Sequence, residues 1–286
     1  MTTNRPFKHI GVIGAGVMGQ GVAYQMAKYG YPVTLIDQSN EVLEHAKTNI
    51  RNMERLDKLL HKSDSAFKAL DHVTFTTELS EVNAADYLIE NITENIGLKE
   101  KLYTELSTII NPEALLAVNT SAVSITKLAA FLPTPENVVG IHFMNPVHLK
   151  PTVELIKGFH SSDEAIAGTH NLLSSVNMKG IEVNDFPGFV SNRVLMLTIN
   201  EAIFALQDRV AEAKNIDDIF KECFGHTMGP LETSDLIGND TILYTLEVLL
   251  ESFNDTKFRP APLLRKMVDA GLHGRKSGKG FYEYNN

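Results

Sequence analysis

The sequence predicts an α/β fold, in which an N-terminal doubly wound sheet with a helical arm is followed by a smaller all-α C-terminal domain. Three observations support this prediction: a glycine-rich turn between a strand and a helix at residues 14–19, an alternation of strands and helices up to residue 143, and helical periodicity alone after residue 188. A chain of 286 residues also exceeds the size at which one core usually stops growing. We therefore predict two domains, residues 1–187 and residues 188–286.

The first 37 residues contain one complete strand–helix–strand unit. Residues 8–13, KHIGVI, are a short apolar run, and the apolar positions of VAYQMAKYG recur at helical spacing up to Gly30. A second strand, YPVTLID, ends at Asp37. Two strands joined in this way are parallel, and such units build doubly wound sheets.

A long helix and four further strands follow. Apolar residues recur at helical spacing from Glu41 to Leu60, which predicts an amphipathic helix that leaves the sheet as an arm. Helical stretches such as GLKEKLYTELSTII then alternate with the strand candidates VTFTT (73–77), YLIEN (87–91), LLAVN (115–119) and VVGIHF (138–143). Beyond Phe186-Pro187-Gly188, helical periodicity marks VLMLTINEAIFALQ, TILYTLEVLLESF and PLLRKMVDAG, and the chain closes on GRKSGKGFYEY, whose aromatic residues could dock in the core.

Composition argues against several classes of protein. No apolar run approaches the roughly 20 residues of a membrane span, so we do not expect a membrane protein. The 35 Asp and Glu residues outnumber the 26 Lys and Arg residues, which opposes non-specific binding of nucleic acid. Cys223 is the only cysteine and excludes an intrachain disulfide or a Cys-x-x-Cys knuckle, and we expect no metal site. No apolar secretory segment precedes the first strand, so we expect a cytoplasmic protein.

The glycine-rich turn predicts a Rossmann-type dinucleotide site. In Gly14-Ala15-Gly16-Val17-Met18-Gly19, the first glycine permits the tight turn, the second allows the backbone to approach a pyrophosphate, and the third permits close helix packing. A turn that serves only close packing would not explain Asp37, which follows at the end of the second strand. Its carboxylate would accept hydrogen bonds from a free ribose hydroxyl and repel a 2′-phosphate, so we predict NAD rather than NADP.

Several polar residues lie where a doubly wound sheet places its ligands. His142 ends the strand VVGIHF and is the candidate base for an alcohol proton, since histidine has an unperturbed pKa of about 6.5. Glu154 lies in an apolar segment and needs a partner, which an imidazole would provide. Asn119 and Ser121 lie at the carboxyl edge of the strand LLAVN, and Asn192 follows the Pro-Gly turn.

Each of these residues also has a purely structural explanation. His142 could be an interior histidine, Glu154 a member of a structural ion pair, and Ser121 the cap of the helix in AVSITKLA. The residues alone therefore predict an NAD-binding α/β domain with a helical partner, an oxidoreductase in which His142 is the base.

Taken together, the motifs resemble the 3-hydroxyacyl-CoA dehydrogenase family, most closely its short bacterial 3-hydroxybutyryl-CoA dehydrogenases. The resemblance covers nearly the whole chain. It is carried, in family order, by GAGVMG, NTS (119–121), GIHFMNP (140–146), VELIKG (153–158), PGFVSNR (187–193), MGPLE (228–232), DLIGND (235–240) and GRKSGKGFYEY.

The resemblance implies an NAD-dependent oxidoreductase of fatty acid metabolism that acts at C3 of a short 3-hydroxyacyl thioester. It implies that His142 is the catalytic base, that Glu154 orients it, and that Ser121 and Asn192 bind the 3-oxygen of the substrate. It further implies that four residues help to hold the cofactor beside the glycine turn and Asp37, namely Glu94, Lys99, Asn145 and Lys276.

The resemblance also implies a homodimer formed by the C-terminal domain and an arm that contacts the thioester carrier. Arg51 and Arg55 are the candidate substrate-binding residues of the arm, together with Lys58 and Lys62. Acidic residues interrupt this basic series on a chain of net charge −9, and they are Glu54, Asp57 and Asp64. We therefore expect activity on 3-hydroxybutyryl-CoA with a raised KM.

Three alternatives stay open at this point. Near the catalytic positions, Ala122, Met144 and HLKPT (148–152) depart from the usual residues of the family, which leaves room for a dehydrogenase of a carrier-protein-bound hydroxyacyl group in a biosynthetic pathway. A dehydrogenase of free hydroxy acids would share the glycine turn but would lack the other motifs. A non-catalytic NAD-binding structural or regulatory protein is the third alternative, and the intact His142 and Glu154 argue against it.

Overall fold

The chain divides into two compact units. The structure is a computed structural model that describes residues 6–61 and 68–284. One unit comprises Met1–Asp185 and the other Phe186–Asn286. This division falls two residues before the boundary that the sequence predicts after residue 187.

The first unit is built on a sheet that has eight strands within the described residues, in the order β3-β2-β1-β4-β5-β6-β7-β8. All neighbouring strands are parallel except β6 and β7, which are antiparallel. The predicted α/β fold with a Rossmann-type sheet is therefore confirmed. The strands are β1 (Ile10–Ile13), β2 (Val33–Ile36), β3 (Val73–Thr76), β4 (Tyr87–Glu90), β5 (Leu115–Asn119), β6 (Val138–His142), β7 (Thr152–Lys157) and β8 (Lys179–Asn184).

The central strands are apolar because both faces of the sheet are covered. Every residue of β1, β2, β4 and β6 is buried, as expected for parallel strands between helical layers. The edge strand β8 differs, since its residues are exposed or half-buried. The helices of this unit are α1 (Val17–Lys28), α2 (Asn40–His61), α3 (Ile96–Ile109), α4 (Ile125–Ala129) and α5 (Asp163–Ser175).

The predicted amphipathic arm is helix α2. Its first turns belong to the core through Leu43, Ala46 and Ile50, which are all buried. Further along, Leu56 and Leu59 are 46% and 77% exposed, so this part of the helix presents apolar residues to solvent. Two residues assigned to the arm from the sequence, Lys62 and Asp64, lie outside the described residues.

The second unit is helical and has its own apolar core. The core combines residues of α6, α8, α9 and α10 with partly buried Phe281 and Tyr282, so the aromatic tail docks on it. Across the described part of the chain, no helix combines the length and apolar character needed to cross a membrane. The helices are α6 (Ser191–Gln207), α7 (Ala213–Phe224), α8 (Pro230–Ile237), α9 (Asn239–Phe253) and α10 (Pro262–Asp269).

Candidate active site

The glycine turn leaves open space at the start of α1. Gly14 has a φ of +94°, and a Cβ there would lie 2.8 Å from the backbone carbonyl of Asn91. A Cβ on Gly19 would lie 1.7 Å from the Gly14 carbonyl oxygen, so the turn and helix are in direct contact. By contrast, a Cβ on Gly16 would meet no heavy atom within 4 Å among the described residues other than its chain neighbours. Gly14 and Gly19 are thus tightly packed, while Gly16 between them borders open space.

The amino terminus of α1 suits an anion. Gly16 is the N-cap, and the first helical turn, which is fully described, carries no acidic residue that would offset the positive end of the helix dipole. Val17 in this turn is 64% exposed, whereas Met18 packs partly against the core. Open space and unpaired backbone N–H groups at one helix end are what the pyrophosphate of a dinucleotide requires.

Asp37 connects the end of β2 to the glycine turn. Its Oδ2 accepts a hydrogen bond from the Ala15 backbone N–H at 2.9 Å, and its Oδ1 accepts one from Ser39 N–H at 3.1 Å. The carboxylate therefore helps to fix the turn in addition to lying where the adenosine ribose of a dinucleotide is expected. The turn, the helix end and Asp37 together fit NAD.

His142 and Glu154 face each other across two antiparallel strands. The register of β6 and β7 pairs these two residues directly, and both are buried. His142 Nδ1 lies 2.8 Å from Glu154 Oε2. A carboxylate only accepts hydrogen bonds, so the proton is assigned to Nδ1 and the lone pair to Nε2. The pair thus presents an imidazole nitrogen that can accept a proton.

Ser121 lies on the other side of this imidazole. Its Oγ is 3.2 Å from His142 Nε2. The Ser121 backbone N–H donates to Glu94 Oε1 at 2.7 Å, and the Thr120 hydroxyl donates to Glu94 Oε2 at 2.9 Å. Glu94 therefore holds the segment that carries Ser121.

A second set of bonds joins the same strand ends. Asn119 Nδ2 donates to Asn91 Oδ1 at 2.8 Å, while Asn119 Oδ1 accepts from the backbone N–H of Phe143 at 3.3 Å. The segments after β4, β5 and β6 are thereby tied together, as expected for the carboxyl edge of a doubly wound sheet.

The structural explanation of Ser121 as a helix cap is wrong. Helix α4 begins at Ile125, and its N-cap is Ser124, whose side chain accepts a hydrogen bond from Lys127 N–H. Residues 121–123 form bends before the helix, which places Ser121 too early to cap it. Its hydroxyl is directed to His142 instead.

Lys99 lies in the protein interior. Its Nζ donates to both carboxylate oxygens of Glu90 at 2.7 Å, and neither side chain has exposed surface. Glu90 also accepts hydrogen bonds from Tyr103 Oη at 3.2 Å and from the Ile92 backbone N–H at 2.6 Å. Burial raises the pKa of the Glu90 carboxyl, and the adjacent ammonium opposes that rise. Sequence reasoning missed Glu90, although a carboxylate that ends the buried strand YLIE needs a partner.

The remaining predicted residues lie on other segments, two of them in the second unit. Asn145 is exposed after β6, and Arg51 and Arg55 are exposed one turn apart on α2. In the second unit, Asn192 lies in the first turn of α6, and Lys276 Nζ donates to Asp240 at 2.7 Å. The functional roles of these residues stay predictions.

Comparisons with known proteins cover both units of the chain. The NAD-binding domain model of the 3-hydroxyacyl-CoA dehydrogenases matches residues 9–186, and the C-terminal domain model of the same family matches residues 188–284. A probable 3-hydroxybutyryl-CoA dehydrogenase of Deinococcus radiodurans is 44% identical over 275 residues, which cover 96% of this chain and 99% of that protein. The 3-hydroxybutyryl-CoA dehydrogenase of Bradyrhizobium diazoefficiens is 40% identical over 279 residues, which cover 97% of this chain and 95% of that protein.

A solved structure gives the same result. The crystal structure of the (S)-3-hydroxybutyryl-CoA dehydrogenase from Ralstonia eutropha matches with a TM-score of 0.94 and 38% sequence identity, over 98% of this chain and all of that one. The family resemblance and the NAD assignment made from the sequence are confirmed. The chain belongs to the family of NAD-dependent 3-hydroxyacyl-CoA dehydrogenases.

Proposed function

We propose that this protein interconverts a short 3-hydroxyacyl-CoA, such as 3-hydroxybutyryl-CoA, and its 3-oxoacyl counterpart. The observation that carries the proposal is the contact between His142 and Glu154, which leaves Nε2 of the imidazole able to take up a proton beside the Ser121 hydroxyl. The relatives named 3-hydroxybutyryl-CoA dehydrogenase support the choice of acyl chain.

In the proposed reaction, His142 is the general base. Its Nε2 removes the proton of the C3 hydroxyl as the alcohol is oxidised, and it returns that proton in the reverse direction. Glu154 accepts the Nδ1 hydrogen bond and stabilises the imidazolium that forms, because the two groups are 2.8 Å apart and buried. NAD, when bound, supplies the hydride acceptor.

Ser121 positions the reacting oxygen. Its hydroxyl already lies 3.2 Å from Nε2, so a substrate oxygen that binds to Nε2 would be within reach of the same hydroxyl. Glu94 keeps Ser121 in place through its backbone N–H. We propose Asn192 as a further hydrogen-bonding group for the 3-oxygen. We also propose that Glu94, Lys99, Asn145 and Lys276 help to hold NAD.

The described part of the arm favours coenzyme A as the thioester carrier. Asp57 is buried, where it pairs with Lys28 and accepts a hydrogen bond from the Tyr24 hydroxyl. Glu54 pairs with Lys58 at 2.9 Å. Both acidic residues are thus engaged by cations, so they oppose the exposed arginines of the arm less than the sequence suggests. We propose that Arg51 and Arg55 contact the phosphates of coenzyme A.

We also propose a homodimer formed through the second unit. Large apolar side chains of this unit are exposed on α6 and the helices that follow it, and exposed apolar surface of this kind favours association. They include Val194 (59%), Ile219 (49%), Phe224 (66%) and Tyr244 (52%). Light scattering of the purified protein tests this proposal: a molecular mass of one chain, 31.7 kDa, would contradict it.

The substrate is tested with one acyl group on several carriers. NADH formation should be fast with 3-hydroxybutyryl-CoA and much slower with free 3-hydroxybutyrate or the pantetheine thioester, since these lack the phosphates that the arm is proposed to bind. Turnover of the acyl group only when it is loaded on a carrier protein would show that the coenzyme A assignment is wrong. If the 3-hydroxybutyryl group is not turned over on any of these carriers, a non-catalytic role is favoured.

A further inference from the structure

The outer half of the arm, residues 51–59 of α2, has little apolar attachment to the first unit. Met53 packs partly against the core, but Leu56 and Leu59 are exposed. Among residues 51–59, all of which the structure describes, Asp57 is the one buried residue. The outer half of the arm therefore has a charged side chain at its most buried position.

Two residues of α1 engage this carboxylate. Asp57 Oδ2 accepts a hydrogen bond from the Tyr24 hydroxyl at 2.8 Å and forms an ion pair with the Lys28 ammonium. Tyr24 and Lys28 are one turn apart on α1 and therefore face the same side of the helix. Burial raises the pKa of the Tyr24 hydroxyl, and its bond to Asp57 raises that pKa further, so the group stays a donor. We call Tyr24, Lys28 and Asp57 the polar anchor.

The position of Tyr24 is itself fixed by packing. Its ring is buried in the core of the first unit and meets the ring of His148 edge to face, with centroids 5.7 Å apart. Burial lowers the pKa of His148, so the imidazole is neutral at pH 7 and does not compete with Lys28 as a cation for Asp57. The Tyr24 hydroxyl is thus presented to the arm at a fixed position.

The anchor and the arginines of the arm lie on different sides of α2. Arg51 and Arg55 are exposed, whereas Asp57 is buried against α1. Because the anchor holds the buried side of the helix, it determines where the exposed side lies. Asp57 can therefore affect a molecule bound to the arginines without contacting it.

We propose that the polar anchor holds the outer half of the arm on α1, and that Asp57 is thereby a positioning residue for the thioester substrate. The inference rests on the proposed function of Arg51 and Arg55. Removal of the carboxylate leaves the buried Tyr24 hydroxyl without its acceptor and the Lys28 ammonium without its counterion, which favours release of this half of the helix. The apparent affinity for the thioester then falls in proportion to the anchored fraction.

An explanation based on charge alone predicts the opposite effect. If Asp57 acted only through its negative charge, its removal would make the arm more basic and strengthen the attraction for the phosphates of coenzyme A. The KM for the thioester would then fall. The polar anchor predicts that this KM rises, so the sign of the change distinguishes the two explanations.

The test measures KM, kcat and the Kd for NAD in three variants. Two bonds to a charged group contribute more than one, so Asp57→Ala should raise KM for 3-hydroxybutyryl-CoA by about 10- to 100-fold and Tyr24→Phe by about 2- to 10-fold. Tyr24 and Lys28 bind the same oxygen of Asp57, and asparagine keeps one acceptor oxygen, so Asp57→Asn should recover most of the loss. In all three variants, kcat and the Kd for NAD should keep their wild-type values.

A matched control lies on the same helix. Glu44 forms an exposed pair with Lys47, in which the charged atoms are 3.9 Å apart, so Glu44→Ala removes a carboxylate from α2 and leaves the anchor intact. This variant should keep the wild-type KM. Hydrogen exchange adds a measurement that needs no substrate: the amides of residues 51–59 should exchange faster in Asp57→Ala, and those of residues 43–50 should not.

The outcomes separate the anchor from its alternatives. A KM at or below the wild-type value in Asp57→Ala, or unchanged exchange of residues 51–59, would overturn the proposal. If Asp57→Ala does not fold, Tyr24→Phe decides: a raised KM at wild-type kcat supports the anchor, and a wild-type KM contradicts it. Wild-type KM after reversal of Arg51 and Arg55 to Glu would overturn the function of the arm and this inference with it. A raised KM in that reversal, together with a wild-type KM in Asp57→Ala, would overturn the anchor alone.

Discussion

Replacement of Gly16 by alanine should weaken NAD binding while the protein stays folded. The φ and ψ of Gly16 are −66° and −171°, which any residue adopts, and the added Cβ enters open space. The folding penalty is then limited to the lower N-cap preference of alanine, about 1 kcal/mol or less. The methyl group would lie where the backbone must approach the pyrophosphate. We expect the Kd for NAD to rise about 10- to 100-fold, equivalent to about 1.4 to 2.8 kcal/mol.

The contrasting substitution is Gly19→Ala. Its Cβ would lie 1.7 Å from the carbonyl oxygen of Gly14, a backbone atom that cannot move aside alone. This variant should lose about 1–3 kcal/mol of unfolding free energy or fail to fold. Calorimetric titration with NAD and thermal denaturation measure the two effects separately. Wild-type NAD affinity in a folded Gly16→Ala variant would refute the placement of the pyrophosphate at this turn.

Three further predictions concern the ribose, the arm and the tail. Asp37→Ala should remove the preference for NAD over NADP in affinity titrations, and an unchanged preference would contradict the role of this carboxylate. Reversal of Arg51 and Arg55 to Glu should raise KM for 3-hydroxybutyryl-CoA and leave NAD affinity unchanged. Steady-state kinetics indistinguishable from wild type would show that the arm does not bind coenzyme A. Tyr282→Phe should lower the unfolding free energy by about 1–3 kcal/mol in chemical denaturation, since buried Asp217 loses a hydrogen bond of 2.7 Å, and an unaltered midpoint would argue against this contact.

The sequence predicts β1 to β6 in chain order, because each is a short run rich in β-branched, aromatic or other apolar residues. It does not predict β7 and β8 as strands. The residues of β8, KGIEVN, mix charged and apolar side chains because an edge strand is half solvated, so no continuous run marks it. The segment of β7 is apolar around Glu154. Its antiparallel direction, however, depends on long-range pairing with β6, and sequence periodicity does not predict that pairing.

The same limit applies to the site. The sequence indicates that Glu154 needs a partner and that His142 ends a strand, yet only the antiparallel register brings them opposite each other. Lys99 lies in a helix of mixed polarity, so spacing does not show that its ammonium is buried against Glu90. The N-cap of α4 is Ser124, because residues 121–123 form bends before the helix begins. The local sequence Ser-Ala-Val does not predict these bends.

The central claim, that His142 and Glu154 transfer the proton as a unit, is tested most directly by their double-mutant cycle in kcat with 3-hydroxybutyryl-CoA. His142→Ala should lower kcat by about 10²- to 10⁴-fold with NAD affinity unchanged, and Glu154→Gln should lower it less. The double variant should fall well short of the product of the two losses, since the residues act together. The exposed pair of His170 and Glu182, which are 2.7 Å apart, provides the control, and His170→Ala should keep wild-type kcat. Multiplicative losses in folded variants, or turnover preserved in His142→Ala, would contradict the account.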